Sequence, residues 1–111
     1  MNIDDLTLGE LKEIQGMCGS RDKKSPYKIG QAYLIRTVTM IYTGRLVSIH
    51  EHELVVTEAA WIADTGRWAQ ACAEGKLSEV EPYVSGDNVI VSRGAILDVS
   101  PWHKDLPTVQ K

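Results

Sequence analysis

The sequence is poor in residues that form covalent or metal cross-links. It contains only two cysteines, Cys18 and Cys72, which are far apart and lack a CxxC spacing. A zinc knuckle or a redox pair is therefore not predicted, and both cysteines are interpreted as free thiols. Phenylalanine is absent, so three tryptophans and four tyrosines supply all the aromatic rings. These rings could stack bases, but packing in a core or an interface is the favoured interpretation.

The chain also lacks a long apolar run and an excess of positive charge. No segment approaches the roughly 20 apolar residues that span a bilayer, and the acidic start with Asp4 and Asp5 does not resemble a signal peptide. The net charge of −3 argues against a protein whose main task is non-specific phosphate binding. We expect a single domain over residues 1–111, cytoplasmic or virion-associated, with no membrane partner.

Short apolar segments separated by turn residues predict a mainly β fold. Residues 32–42 are apolar on both faces, which favours a helix or a second subunit over one face. Gly44 follows at a point where a strongly bent strand requires a residue without Cβ. Residues 54–57 form the next strand, and residues 89–99 predict two strands hinged at Arg93–Gly94. The pattern predicts a small, strongly bent, five-stranded barrel.

Helical patterns add an α component at two places. A capping box and an apolar stripe predict an N-terminal helix over residues 7–19. Residues 58–85 are predicted as an insertion, in which Asp64–Gly75 forms a short helix with an Asp or Thr cap and a Gly stop. Residues 101–111 are expected to form an exposed tail anchored at Trp102.

Two segments resemble the motifs of Sm-like proteins. Gly44–Ile49 together with Leu54–Glu58 is similar to the first Sm motif, and Ile90–Gly94 is similar to the second, with its hydrophobic-Arg-Gly signature. The resemblance covers roughly half of the chain. It departs from the family pattern at His50, where Asp is usual, and at His52–Glu53, where a Met-Asn pair supplies the base-binding Asn. The family's RNA site is therefore not carried over, since Glu cannot donate an amide hydrogen bond.

What the resemblance implies is ring assembly through the edges of the sheet. The predicted function is thus a non-enzymatic, self-assembling subunit of single or stacked rings, with itself as partner and no cofactor. The segment Ala60–Arg67 also resembles segments of small phage and prophage proteins, which favours a structural or assembly role in that context. The predicted interface residues are Val38, Met40, Ile41, Val89, Val91 and Leu97.

Arginines suggest an alternative, namely an oligomeric module that binds a nucleotide, a nucleic acid or another anion. A ring would repeat each guanidinium and focus the field. The candidates are Arg36, Arg45, Arg67 and Arg93, and the competing interpretation is individual salt bridges to Glu51, Glu58 or Asp98.

A third alternative is a metal-dependent enzyme. His50 and His52 are two residues apart and would share one face of an extended segment, a spacing that suits a transition metal. Against this, polar residues collect in turns without any function. No catalytic set is predicted, because no serine or cysteine has a nucleophile context and the glycines lack a phosphate-loop spacing.

Overall fold

A computed structural model describes residues 25–111, which form six antiparallel strands and one short α-helix. The elements are β1 (Ala32–Thr37), β2 (Ile41–Ile49), β3 (Glu53–Asp64), α1 (Trp68–Glu74), β4 (Glu79–Pro82), β5 (Val89–Ser92), a 3₁₀ turn (Arg93–Ala95) and β6 (Ile96–Pro101). The strand order is β4-β3-β2-β1-β6, and β5 pairs with the first part of β3. The predicted bent, mainly β fold with a helical insertion is confirmed. It has six strands rather than five, because β4 also joins the sheet. The helix predicted over residues 7–19 lies outside the described residues.

The β1–β2 hairpin turns at a place where the sequence has no turn residue. Thr37 makes the turn, since its backbone N–H donates to the Met40 carbonyl at 2.8 Å and its hydroxyl accepts from the Met40 N–H at 3.0 Å. The prediction that residues 32–42 form one continuous alternating strand is therefore wrong. A side-chain bridge of this kind replaces the glycine or proline that normally signals a turn.

The bend in the sheet is centred on Gly44. Thr43 pairs with Ala60 and Arg45 with Thr57, so two residues of β3, Glu58 and Ala59, face the single residue Gly44. One of them, Glu58, has a left-handed φ of 50°. A Cβ on Gly44 would lie only 2.9 Å from Cβ of Val56. The predicted role of Gly44 is confirmed, and the physical reason is a close approach between strands.

Two hydrophobic clusters lie on opposite faces of β1. The inner cluster is enclosed by the curled sheet; its buried members are Tyr33, Ile35, Leu46, Leu54, Val56, Ala59 and Val91. The outer cluster consists of Ala32, Leu34, Ala60, Ile62, Ala71, Leu77, Val80 and Trp102. Ala71 belongs to α1, so a helix covers the second face of β1, which is one of the two predicted alternatives.

The insertion differs from its prediction in detail. The third strand runs on to Asp64, and α1 begins after Arg67, which makes no side-chain cap. The Asp64 carboxylate instead accepts a hydrogen bond from the Gly66 N–H at 2.8 Å. The helix does end at Gly75, which has a left-handed φ of 73°. The predicted cap was wrong because Asp64 is held in the sheet, whereas the predicted Gly stop is confirmed.

A single polar atom in the outer cluster provides a test of the packing. Thr43 is fully buried, and its hydroxyl oxygen has no hydrogen-bond partner among the described residues. Such a group costs about 1–3 kcal/mol. Thr43→Val keeps the shape and removes the unpaired hydroxyl, so we expect the free energy of unfolding in urea to rise by about that amount. An equal or lower value would show that the hydroxyl has a partner in solution.

Candidate functional site

The outer edge of β5 has no strand beside it within residues 25–111. The N–H of Arg93 donates to the His52 carbonyl at 2.9 Å, so odd-numbered residues of this segment face β3. Because alternate residues of a strand direct their backbone groups to opposite edges, Ile90 and Ser92 direct theirs outward. The side chain of Ile90 is also 68% exposed. β5 therefore offers both backbone groups and an apolar side chain to another strand.

The second open edge belongs to β6, at the other end of the sheet. The N–H of Trp102 donates to the Ala32 carbonyl at 2.8 Å, so Val99 directs its N–H and carbonyl away from β1. Pro101 lies on the same outward side, where its missing N–H costs no hydrogen bond. Leu97, in the irregular part of the strand, is 66% exposed. Within the described part of the chain, no strand pairs with this edge either.

The β5 edge lacks the features that normally prevent strand pairing, and the β6 edge has only one of them, Pro101 at the end of the strand. Exposed edges are usually protected by lysine, proline or unpaired charge. The β5 sequence Val-Ile-Val-Ser contains none of these. The charge on β6, Asp98, is neutralised by Arg36, whose guanidinium donates two hydrogen bonds to the carboxylate. These contacts hold the pKa of the Asp98 carboxyl below its usual value.

The predicted interface residues occupy three kinds of position. Val38 is 65% exposed and Leu97 is 66% exposed, so both are free to contact another subunit. Met40 is half-buried, and Ile41 and Val89 are partly buried against the two clusters. The side chain of Val91 is 4% exposed. Its placement at an interface needs correction, because alternation along β5 turns it into the inner cluster.

The four candidate arginines do not converge within one subunit. Arg36 lies beside the β1–β2 turn, whereas Arg45 pairs with Ala32 at the other end of β1. Arg45 donates to Glu58 at 2.7 Å and to the Gly30 carbonyl at 2.9 Å. The pairs Arg36–Asp98 and Arg45–Glu58 are two of the salt bridges considered as the competing interpretation. Arg67 is exposed next to α1. The guanidinium groups of Arg36 and Arg45 are thus already paired with carboxylates.

Arg93 is placed differently, at a groove of about 470 Å³ beside β6. Its guanidinium donates to the His50 carbonyl at 2.7 Å and lies 5.8 Å from the ring centroid of Tyr27. Tyr27 in turn packs edge-on against Tyr33 with a centroid distance of 5.9 Å. No sequence pattern predicted that Tyr27 lies at this groove. Its signal would have been an aromatic residue shortly before β1, which only the fold brings next to Arg93.

The two histidines do not share a ligand position. Nε2 of His50 is 2.9 Å from the Ser48 hydroxyl, while Nε2 of His52 lies 3.8 Å from the Glu51 carboxylate. In residues 25–111, no three histidine, cysteine, aspartate or glutamate side chains are grouped as metal ligands. The metal site therefore stays a prediction.

None of the helices described in residues 25–111 has the length and apolar character needed to cross a membrane.

The similarity of this chain to known proteins is limited to solved structures. No family profile matches the sequence, and no curated protein matches it significantly. Among solved structures, a heptameric archaeal Sm protein matches with 21% identity and a TM-score of 0.47, over 66% of this chain and 87% of that one. The SmAP1 heptamer of P. aerophilum matches with 21% identity and a TM-score of 0.49, over 75% and 89%. The chain resembles Sm proteins in structure.

Proposed function

We propose that this chain is a non-enzymatic subunit that assembles into rings through its sheet edges. The observation that carries the proposal is the pair of open edges on β5 and β6 within the described residues. Ile90 and Ser92 on one edge, and Val99 on the other, direct backbone groups outward. The β5 edge of one subunit can therefore add to the β6 edge of the next, which extends the sheet across the boundary.

Such a contact joins two different surfaces and is therefore head-to-tail. Head-to-tail contacts generate a closed ring when the rotation between subunits closes, and a filament when it does not. A ring leaves neither the β5 edge nor the β6 edge exposed, which removes the aggregation hazard of these two open edges. The role we propose is structural. The phage or prophage context remains a prediction from the likeness at residues 60–67. The cytoplasmic or virion-associated location is likewise a prediction.

The first test replaces Ile90 by proline. The N–H that is lost faces outward and the side chain is 68% exposed, so the subunit should fold while its β5 edge can no longer pair. We expect light scattering after size-exclusion chromatography to give a multimer for the wild type and a monomer for Ile90→Pro. The matched control, Ile90→Thr, keeps both the N–H and the strand propensity and should assemble.

A mixing experiment tests the head-to-tail geometry. Leu97→Lys places a charge at the β6 edge, on a side chain that is 66% exposed, and should also block pairing. When Ile90→Pro and Leu97→Lys are mixed, each variant keeps one intact edge, so a heterodimer should form. If Ile90→Pro formed a multimer with the same mass as the wild type, pairing through β5 would be ruled out.

The groove at Arg93 supports a second candidate, the binding of a nucleotide, a nucleic acid or another anion. The observation is the Arg93 guanidinium beside the Tyr27 ring, an arrangement that can combine charge with stacking. The same chromatography tests this candidate. An assembled peak that contains bound nucleotide or nucleic acid would show excess absorbance at 260 nm relative to 280 nm. A peak with the ratio of protein alone would count against bound nucleic acid.

A further inference from the structure

The tail, which we define as residues 103–111, pairs with the outer edge of β4. The N–H of Lys111 donates to the Val80 carbonyl at 2.9 Å, and the N–H of Val80 donates to the Lys111 carbonyl at 3.1 Å. Two such bonds between the same two residues define an antiparallel pair. The Gln110 amide also donates to the Glu81 carboxylate at 3.0 Å. The β4 edge is therefore a site that binds an extended segment.

β4 and β5 lie one after the other along the same side of β3. β5 pairs with residues 53–56 and β4 pairs with residues 60–64, and both strands are antiparallel to β3. The two strands therefore point the same way, and their outer edges form one interrupted strip. Exposed apolar side chains mark this strip, since Tyr83 is 39%, Val84 73% and Ile90 68% exposed. A segment that extends past the β5 edge can continue along the β4 edge.

The strand directions determine which tail reaches this strip without turning back. Every strand pair in the described sheet is antiparallel, so β6 and β4 of one subunit run the same way. The tail must turn back after Trp102 to lie antiparallel to β4 of its own subunit. When β6 of a neighbouring subunit pairs antiparallel with β5, it runs opposite to β5 and also opposite to β4. Its tail then continues along the β4 edge in the direction in which a tail pairs there.

The tail of the same subunit lies where the neighbouring chain would arrive. Its residues Pro107 and Thr108 border a small pocket of about 130 Å³ together with Tyr83 and Gly86, which belong to the loop between β4 and β5. A neighbouring strand that follows the β5 edge leaves that edge at this loop. The two segments would overlap, because close-packed protein leaves no room for a second chain. Edge pairing through β5 therefore favours displacement of the tail from β4 of its own subunit.

The tail is long enough to reach the next subunit. Ile90 and Val80 pair with β3 residues that are seven positions apart, which corresponds to about 23 Å along the strand. The proposed boundary brings Val99 of the neighbour to the β5 edge. From Val99 to Lys111 the chain advances by twelve residues, which span up to about 40 Å. Residues 103–105 are exposed, so they can change course without loss of packing.

We propose that the β4 edge binds the tail of the adjacent subunit, so that each tail crosses one subunit boundary. The proposal rests on the ring assembly proposed above and adds a second contact to the same boundary. Trp102 stays in the outer cluster of its own subunit, and residues 103–105 form the hinge. The exchanged tail makes the same contacts with β4 that it makes within one subunit, so the exchange costs little free energy.

Mixing two cysteine variants tests the exchange. Glu81 and Gln110 face each other beside the hydrogen-bonded pair of Val80 and Lys111, and the short Cα distance at such a position suits a disulfide. Glu81→Cys and Gln110→Cys are made in separate full chains that both carry Cys18→Ser and Cys72→Ser. The two chains are unfolded together, refolded and oxidised. We expect a disulfide-linked dimer that contains one chain of each kind, identified by mass spectrometry.

Each variant refolded alone is the control. It offers only one of the two facing cysteines, so it should stay unlinked under the same oxidation. If the mixture gave no more linked dimer than the two variants alone, the exchange of tails would be overturned.

A chain that carries both new cysteines connects the exchange to ring assembly. Glu81→Cys combined with Gln110→Cys should give a series of linked chains on a non-reducing gel, because every tail is joined to the next subunit. With Ile90→Pro added, the β5 edge cannot pair, the tail stays on β4 of its own subunit, and the disulfide should form within single chains.

The outcomes separate this proposal from the proposed function. A multimer of wild-type mass whose disulfides all lie within single chains would overturn the exchange and leave ring assembly intact. Linked chains that persist with Ile90→Pro would support the exchange and overturn pairing through β5. A monomer in light scattering at every concentration would overturn both. A multimer that forms no disulfide at all would show that no tail pairs with β4, which also overturns the exchange.

Discussion

Trp102→Ala is expected to lower the free energy of unfolding by about 3–5 kcal/mol. Trp102 is 4% exposed and packs in the outer cluster. Its indole N–H donates to the Asp105 carbonyl at 3.1 Å, and one of its ring carbons lies near the position that a Cβ on Gly75 would occupy. The residue thus joins β6, the helix end and the segment that follows. Natural domains have only about 5–15 kcal/mol in total, so a large part of the stability should be lost.

The measurement is urea unfolding followed by far-ultraviolet circular dichroism, at one fixed subunit concentration because assembly raises apparent stability. Trp68→Ala is the matched control. Trp68 is 40% exposed and its ring centroid lies 4.6 Å from the Arg36 guanidinium carbon, so its removal should cost far less. Similar losses for the two variants would show that Trp102 is not the anchor of the outer cluster.

Gly44→Ala is expected to lower the free energy of unfolding by about 1–3 kcal/mol, the usual cost of overpacking. The added Cβ would lie 2.9 Å from Cβ and 3.0 Å from Cγ2 of Val56. These are branch atoms of a fully buried side chain in the inner cluster, so no rotation of a flexible end relieves the contact. The strands would have to separate at the bend, which weakens the β2–β3 pairing on which the curvature depends.

Gly94→Ala is the control for this second prediction. A Cβ on Gly94 would meet only the Ser92 hydroxyl oxygen, at an ordinary 3.8 Å, and Gly94 has no left-handed φ. Its replacement should leave stability nearly unchanged in the same urea titration. If Gly94→Ala proved as costly as Gly44→Ala, the close approach at the bend would not explain the requirement for glycine.

Several elements could be predicted because their cause is local. The Gly stop at Gly75 depends on the left-handed φ that glycine adopts readily, and it is present. The predicted hinge at Arg93–Gly94 is present as a 3₁₀ turn. The apolar alternation in residues 89–99 correctly indicated two strands. The β1–β2 turn was missed because Thr37 closes it through side-chain hydrogen bonds, and β-branched residues in a turn give no sequence signal.

The candidate site was predictable only in part, because some of its features depend on contacts between residues that are distant in the sequence. The alternation of a strand tells which residues share a face, and Val38 and Leu97, which were predicted at an interface, are both exposed. It does not tell which face the fold buries, so Val91 was assigned to an interface although it lies in the core. The pairing of Arg36 with Asp98 spans 62 positions, a separation that sequence spacing cannot resolve.

The sequence by itself determined the β character, the bend at Gly44 and the resemblance to Sm-like proteins, because each depends on one residue or a short periodic segment. The tertiary structure alone decided which edges are open within residues 25–111, which arginines there are neutralised and where apolar side chains are exposed. Those properties depend on contacts between residues far apart in the chain, and the energy of a contact is defined only once the fold has brought its partners together.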